Sequence, residues 1–245
     1  MKCEERYRAE FDDFLLIHPG GYFEPLVREI RQHSGLAGKR ILELGCGTGA
    51  LLSELDKHQP GMLTGVDVSQ TAIDQARALL PAHIVLQCCN IEQPPGDLGS
   101  QDLVVSHSVL QYVPDLPALL SAVFNVLRPG GLFVGTLEHK SRLDALNLVQ
   151  WLGFMITPRF VRRRYHWIVK PMLRFMNRDI PSRDILEGKS RYLGIPAVNC
   201  LSAQEVREKF EAAGFRVVDV RTAPRLDQNS VPHHLVIATK PERDG

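Results

Sequence analysis

The sequence predicts an α/β protein built on a mostly parallel sheet. Strand-like and helix-like segments alternate from Lys39 to Glu138, which is the pattern of βαβ units. The apolar run Ile41–Leu44 leads directly into a glycine-rich segment, Gly45–Gly49, and then into the amphipathic stretch Leu51–His58. Such an order is typical of a strand, a tight turn and a helix. At 245 residues, 44% of them hydrophobic, the chain fits one α/β domain with an insertion.

The other elements follow in chain order. Two helices are expected ahead of the first strand, over Glu4–Leu16 and Phe23–His33. Further strands are expected within four apolar segments: Met62–Ser69, His83–Glu92, Gln101–Val113 and Leu127–His139. Crossover helices are expected over Ala72–Leu80 and Leu116–Leu127, the first of them entered through a cap-like Ser69.

The glycines Gly45, Gly47 and Gly49 indicate a ligand that approaches the main chain, because glycine tolerates positive φ and leaves room there. Two ligand classes fit. Gly45-x-Gly47-x-x-Ala50 satisfies the pyrophosphate fingerprint of dinucleotide-binding proteins, with an acid farther along the chain for the ribose. A carboxylate at Glu43, under the turn, would instead repel a pyrophosphate and attract a cation. S-adenosylmethionine carries an ammonium and a sulfonium and no phosphate, so the acid favours it.

Residues 41–49, ILELGCGTG, resemble the first motif of the class I S-adenosylmethionine-dependent methyltransferases. With the strand segments above and two closing strand segments near the C-terminus, the resemblance covers Ala37–Glu138 and Leu201–Lys240. The chain also resembles the methyltransferase domain of the ubiquinone-pathway O-methyltransferases in placing an apolar, basic insertion after the fifth strand. The resemblance implies a Rossmann-like, doubly wound, seven-stranded sheet, mostly parallel with an antiparallel last strand, plus a helical lid insertion.

The resemblance also implies where S-adenosylmethionine binds. Asp67 would accept hydrogen bonds from the ribose hydroxyls. Asn90 stands where the family usually has an Asp that contacts the adenine amino group, and it keeps an acceptor. The full set of expected cofactor-binding residues is Glu43, Gly45, Cys46, Gly47, Gly49, Asp67, Val68, Asn90, Ile91 and Ser106. Among the cysteines, Cys46 is expected to be a small filler of the turn, and Cys88 and Cys89 to be core residues.

Methyl transfer is an in-line displacement with a neutral thioether as leaving group, so positioning carries most of the catalysis. A general base matters when the nucleophile is a hydroxyl. His107, at the carboxyl end of the fourth strand, is the leading candidate, and His139 is the second; a role in capping the strand end is the alternative for His107. No Asn/Asp-Pro-Pro-Tyr motif follows that strand, which argues against amino-methylation of nucleic acid bases and favours a small-molecule acceptor.

The sequence divides into an N-terminal helical cap (1–38), a core (39–138 and 201–240) and a basic insertion (139–200). The insertion holds twelve Lys or Arg against four Asp or Glu, whereas the remainder holds seventeen against twenty-four. Its apolar residues recur at helical spacing. Three interpretations are open. The insertion is a lid that only packs on the core, a lid that binds an apolar acceptor with an anionic or phenolic group, or a segment that binds the surface of a membrane.

The start of the chain is charged, and an odd number of cysteines, five, lacks C-x-x-C spacing. We therefore expect no signal peptide and a reducing, cytoplasmic location. The leading functional hypothesis is methyl transfer to a small molecule, most readily at oxygen. The alternatives are a tRNA- or protein-modifying methyltransferase drawn by the basic insertion, and a non-catalytic cofactor-binding or nucleotide-reductase domain. A nucleic acid partner is disfavoured because the positive charge is confined to the insertion.

Overall fold

The computed structural model describes residues 21–92, 98–138, 198–199, 201–223 and 233–242. All of them belong to one of the two units into which the chain divides, residues 1–139 with 198–245. The other unit, Lys140–Ala197, lies outside the described residues, as do the expected helix Glu4–Leu16 and the candidate base His139. The predicted domain boundaries therefore remain a prediction.

Strands and helices alternate through most of the described chain. The helices are α1 (Glu24–His33), α2 (Ala50–Asp56), α3 (Gln70–Leu79), α4 (Leu116–Val126) and α5 (Ala203–Ala212), with a 3-10 turn at Leu110–Tyr112. The strands are β1 (Arg40–Leu44), β2 (Met62–Asp67), β3 (Val85–Cys88), β4 (Gln101–His107), β5 (Leu127–Glu138), β6 (Arg216–Ala223) and β7 (His233–Thr239). None of the helices in this part of the chain has the length and apolarity needed to cross a bilayer.

The seven strands form one sheet in the order β3-β2-β1-β4-β5-β7-β6. Strands β1 to β5 pair in parallel, whereas β7 runs antiparallel to both β5 and β6. This arrangement confirms the predicted fold class, including the antiparallel last strand. Because β7 is antiparallel, its first residues lie at the edge where the parallel strands end.

The core occupies both faces of the sheet. Alternate residues of β1 point to opposite faces, so that Ile41 belongs to one buried cluster and Leu42 to the other. Helices α1 and α2 cover the first face, and α4 and α5 cover the second. Burying a Leu or Ile side chain stabilises the fold by roughly 1.5–3 kcal/mol. Because both faces of β1 are covered, its residues are apolar on both sides and form a continuous apolar run.

Side-chain caps set several helix starts. Ser69 accepts a hydrogen bond from the Ala72 amide at 3.1 Å, which confirms the predicted cap. Asp115 caps α4 in the same way. At the start of α5, Ser202 and Glu205 form a reciprocal capping box.

The third strand differs from the prediction. It covers only Val85–Cys88, so Asn90 follows two residues after its end. Because β3 is the edge strand of the sheet, Cys88 is exposed, and its assignment to the core was wrong. Cys89 is half-buried and packs against the second core cluster.

Candidate active site

The turn after β1 contains three glycines with left-handed backbones, and they serve different purposes. Their φ angles are +73° at Gly45, +53° at Gly47 and +83° at Gly49. A Cβ at Gly45 would lie 2.3 Å from Cγ2 of Val109, and one at Gly49 would lie 2.4 Å from Cδ1 of Leu80. At Gly47 a Cβ would meet no atom of the described residues within 4 Å. Packing therefore requires two of the glycines, and within the described part of the chain Gly47 is the one that leaves an open approach to the main chain.

Asp67 joins this turn to the end of β2. Its carboxylate accepts hydrogen bonds from the Gly47 amide at 2.8 Å and the Ser69 amide at 2.9 Å. A carboxylate offers about four acceptor positions, so these two bonds do not by themselves exhaust it. Asp67 thus lies at the open glycine with an orientation fixed by backbone, as a ribose-binding acid requires. Val68 follows it and is half-buried.

Glu43 lies at the end of β1, buried beneath the turn. Burial, and secondarily the charge of Asp67, raise the pKa of Glu43 well above its ordinary value. Its Oε2 has no hydrogen-bond partner within the described residues. A cation close to this carboxyl group would oppose the rise in its pKa, because a positive charge stabilises the carboxylate form.

Cys46 is also buried and lies against β2, because its Sγ would be 2.9 Å from a Cβ at Gly65. Burial, followed by the nearby Glu43 and Asp67, raises the pKa of the thiol well above its ordinary value. A thiol of this kind is unreactive and fills space, as the sequence predicts.

Beyond β3, the side chain of Asn90 makes two hydrogen bonds with Glu92. Oδ1 of Asn90 accepts from the Glu92 amide at 3.1 Å, and its Nδ2 donates to the Glu92 carboxylate at 3.2 Å. The other Glu92 oxygen accepts from the Asp115 amide at 2.7 Å, which ties this loop to the start of α4. Ile91, between them, is buried. The sequence gives no signal for Glu92, since an acid two residues after a strand is common; contact of Asn90 with adenine stays a prediction.

Ser106 and His107 end β4. The Ser106 hydroxyl is buried and donates to the Leu44 carbonyl at 3.3 Å, so it ties β4 to the end of β1. Val109, two residues after His107, packs against Gly45. The exit of β4 and the glycine turn are therefore in direct contact.

Polar side chains surround His107, which is half-buried. Its Nδ1 lies 2.8 Å from Oγ1 of Thr136, and its Nε2 lies 3.3 Å from Oγ of Ser108. The same Ser108 hydroxyl lies 3.0 Å from Nε2 of His233, at the start of β7. Phe23, just before α1, packs edge-on against the His107 ring with 5.0 Å between centroids.

The sequence singles out His107, whereas Ser108, Thr136 and His233 are not among the predicted site residues. The signal that could have found His233 is the antiparallel direction of the last strand, which brings its first residue to the edge where β4 ends. The structure thus brings together His107 and the predicted cofactor residues of β1, β2 and β4 at one edge of the sheet.

Comparisons with known proteins point to methyltransferases. Residues 41–131 match a family model described as a methyltransferase domain. A ubiquinone biosynthesis O-methyltransferase from Coxiella burnetii is 33% identical over 143 residues, which cover 54% of this chain and 61% of the relative. The protein of the same name from Idiomarina loihiensis is 36% identical over 147 residues, which cover 54% of this chain and 59% of the relative. The chain thus spans about three fifths of the length of these relatives.

Among solved structures, an S-adenosylmethionine-dependent methyltransferase from Mesorhizobium loti has the same fold. It superposes with a TM-score of 0.60 at 21% identity, over 88% of this chain and 97% of that one.

Proposed function

We propose that the protein is a class I S-adenosylmethionine-dependent methyltransferase that transfers the methyl group of this cofactor to a hydroxyl group of a small molecule. The observation that carries the proposal is the juxtaposition at one sheet edge of an open glycine, Gly47, a fixed acid, Asp67, and a histidine, His107, at the end of the neighbouring strand. Gly47 and Asp67 would bind the cofactor, and His107 would take the proton that the acceptor hydroxyl must lose.

The cofactor would bind with its ribose at Asp67 and its main-chain contacts at Gly47. Its cationic end would lie toward the buried acid Glu43, whose Oε2 has no hydrogen-bond partner among the described residues and would gain a positively charged neighbour. When bound, S-adenosylmethionine supplies the electrophilic methyl group. The protein residues supply position, exclusion of water and a destination for the proton.

Oxygen is favoured as the attacking atom for two reasons. The curated relatives are named as O-methyltransferases, although they match only about half of this chain. A hydroxyl nucleophile also requires a base, and His107 lies where open α/β sheets place their ligands. We propose that the acceptor is apolar and carries an anionic or phenolic group, because the 139–200 insertion combines apolar stripes with an excess of basic residues. We also propose that the protein acts in the cytoplasm.

Cofactor binding is tested by calorimetric titration with S-adenosylmethionine and, in parallel, with NADH and NADPH. Saturable binding of S-adenosylmethionine alone is expected. Binding of a reduced nicotinamide nucleotide in its place would overturn the proposal in favour of a nucleotide reductase.

Acceptor chemistry is tested with tritiated-methyl S-adenosylmethionine and an alkyl-substituted catechol, with the dimethyl ether of that catechol as the blocked control. Label is expected in the catechol and not in the ether. A screen of cell extracts would follow, fractionated into small molecules, RNA and protein. Label found only in RNA or protein, with a steep salt dependence, would replace the proposal with the macromolecule-modifying alternative that the basic insertion favours.

A further inference from the structure

Gln111 lies in the 3-10 turn that follows β4, and it is 0% exposed. Neither Oε1 nor Nε2 of its side chain has a hydrogen-bond partner among the described residues. In that part of the chain, no other buried side chain leaves two polar atoms without a partner. Burying an unpaired amide costs free energy, and nearly all buried polar groups in folded proteins are paired. The side-chain amide of Gln111 therefore points to a role in binding rather than in the stability of the fold.

The main chain around Gln111 is held in place by the segment that returns to the core. The Gln111 carbonyl accepts hydrogen bonds from the amides of Val198 at 2.7 Å and Asn199 at 3.0 Å. Nδ2 of Asn199 in turn donates to the carbonyls of Leu110 at 2.9 Å and Val113 at 2.7 Å. Four hydrogen bonds thus anchor the 3-10 turn. A side chain on an anchored backbone is already partly ordered before a ligand arrives, which favours binding.

The 3-10 turn lies at the edge of the sheet where the acceptor is proposed to bind. Strand β4 ends at His107, four residues before Gln111, and Val109 between them contacts the glycine turn at Gly45. Leu110, which opens the 3-10 turn, packs in the second core cluster. Because such a turn has three residues, Gln111 stands about a third of a turn away from the side that faces this cluster. Gln111 therefore follows the proposed base at the same edge of the sheet.

We propose that Gln111 is a specificity-determining residue whose side-chain amide binds a hydroxyl group of the acceptor. This inference rests on the proposed methylation of a small molecule. An amide oxygen accepts hydrogen bonds, and an amide nitrogen donates them. A hydroxyl group of the acceptor would donate to Oε1, and a neighbouring oxygen would accept from Nε2. A carboxylate would satisfy Nε2 but leave Oε1 unpaired, so Gln111 narrows an anionic or phenolic acceptor to the phenolic kind.

The first test measures stability and needs no ligand. Gln111→Met keeps the length of the side chain and removes both unpaired atoms, so the melting temperature is expected to stay the same or rise. The matched control is Gln101→Met, at the other end of β4. Gln101 is also 0% exposed, but its Nε2 donates to the Leu98 carbonyl at 2.7 Å, and the variant loses this bond.

The melting temperature should therefore be higher in Gln111→Met than in Gln101→Met. The reverse order would show that the side-chain amide of Gln111 is paired in the folded protein, directly or through water, and would overturn the proposal.

The second test measures acceptor binding without methyl transfer. The full chain is saturated with S-adenosylhomocysteine and titrated calorimetrically with the alkyl-substituted catechol. A separate titration uses the 2-hydroxybenzoate that bears the same alkyl group. The catechol presents a hydroxyl donor beside a second oxygen, whereas the hydroxyl of the benzoate donates to its own carboxylate. Gln111→Met is expected to weaken catechol binding about tenfold and to change hydroxybenzoate binding by less than about threefold.

The ratio of the two affinities is measured within one protein, so a partly unfolded variant cannot produce the effect. Gln101→Met should leave this ratio unchanged. A ratio that is also unchanged in Gln111→Met would overturn the proposal, as would an unsubstituted protein that does not bind the catechol.

Turnover separates this inference from the proposed function. In the tritiated-methyl assay, Gln111→Met is expected to raise the KM for the catechol about tenfold and to leave the KM for S-adenosylmethionine unchanged. Labelled catechol with an unchanged affinity ratio in Gln111→Met would remove Gln111 from recognition while methylation stands. Catechol binding that depends on Gln111 but yields no label would overturn the methylation and leave recognition by Gln111 intact.

Discussion

At the residue scale, Asp67 combines a structural and a ligand-binding role. It receives backbone hydrogen bonds from Gly47 and Ser69, and it is the proposed partner of the ribose hydroxyls. We expect Asp67→Ala to weaken S-adenosylmethionine binding at least tenfold, since it removes two charge-assisted bonds of about 1.5–3 kcal/mol each. Calorimetric titration measures this.

Asp102→Ala is the control for that prediction. Asp102 also accepts a hydrogen bond from a backbone amide, that of Arg40, but it lies at the amino ends of the parallel strands. Its loss should lower the melting temperature and leave the affinity unchanged. Equal losses of affinity in the two variants would mean that Asp67 acts only through stability.

At pH 7, Glu43 is expected to lower the stability of the folded protein and to strengthen the binding of a cationic cofactor. Its pKa is raised in the folded protein, so its contribution to stability is complete below the unfolded pKa of about 4.3 and is lost as pH rises through the folded pKa. Glu43→Gln is therefore expected to raise the melting temperature at pH 7 and to weaken binding of the cationic cofactor. Thermal unfolding across pH 4–8, with titration at pH 7, checks both. A variant that is less stable than the unsubstituted protein at pH 7 would contradict the expected sign.

At the element scale, the glycine turn shows which of its residues serves the ligand. Gly47→Ala places a methyl group where the protein leaves space but the cofactor is expected. The control Gly38→Ala carries the same backbone strain, since Gly38 has a φ of +69° and an equally open Cβ position before β1. We expect similar losses of stability in both variants, and a loss of S-adenosylmethionine affinity only in Gly47→Ala. Normal affinity in Gly47→Ala would remove the main-chain contact from the proposal.

The positions of the strands and helices along the chain could be predicted because apolar runs, helix caps and a glycine turn are local signals, whereas the antiparallel last strand was expected only from the family resemblance. The exposure of Cys88 could not, since it depends on β3 being the last strand at its end of the sheet. The pairing of His107 with His233 could not either, because 125 residues separate Ser108 from His233 along the chain. Such contacts arise from strand order and register, which a local sequence pattern does not indicate.

At the scale of the whole molecule, the insertion is expected to be separable from cofactor binding. Val198 and Asn199 donate their amides to the Gln111 carbonyl at 2.7 and 3.0 Å, so this return point of the chain is anchored on the core. Replacing residues 140–197 by a Gly/Ser linker, while keeping Val198 and Asn199, should hold S-adenosylmethionine affinity within a fewfold and abolish methyl transfer. Titration and the tritiated-methyl assay measure the two. Retained transfer would show that the insertion does not bind the acceptor.

The contact between Gly45 and Val109 has a consequence for the sequence of events in turnover. The two residues interlock so closely that no side chain fits between them, and Val109 directly follows His107 and Ser108. A cofactor that orders the glycine turn therefore also orders the end of β4, where the acceptor is proposed to bind. We expect an ordered kinetic mechanism in which the cofactor binds first. A non-reactive acceptor analogue, such as the catechol dimethyl ether, should then inhibit uncompetitively against S-adenosylmethionine, whereas random addition would give noncompetitive inhibition.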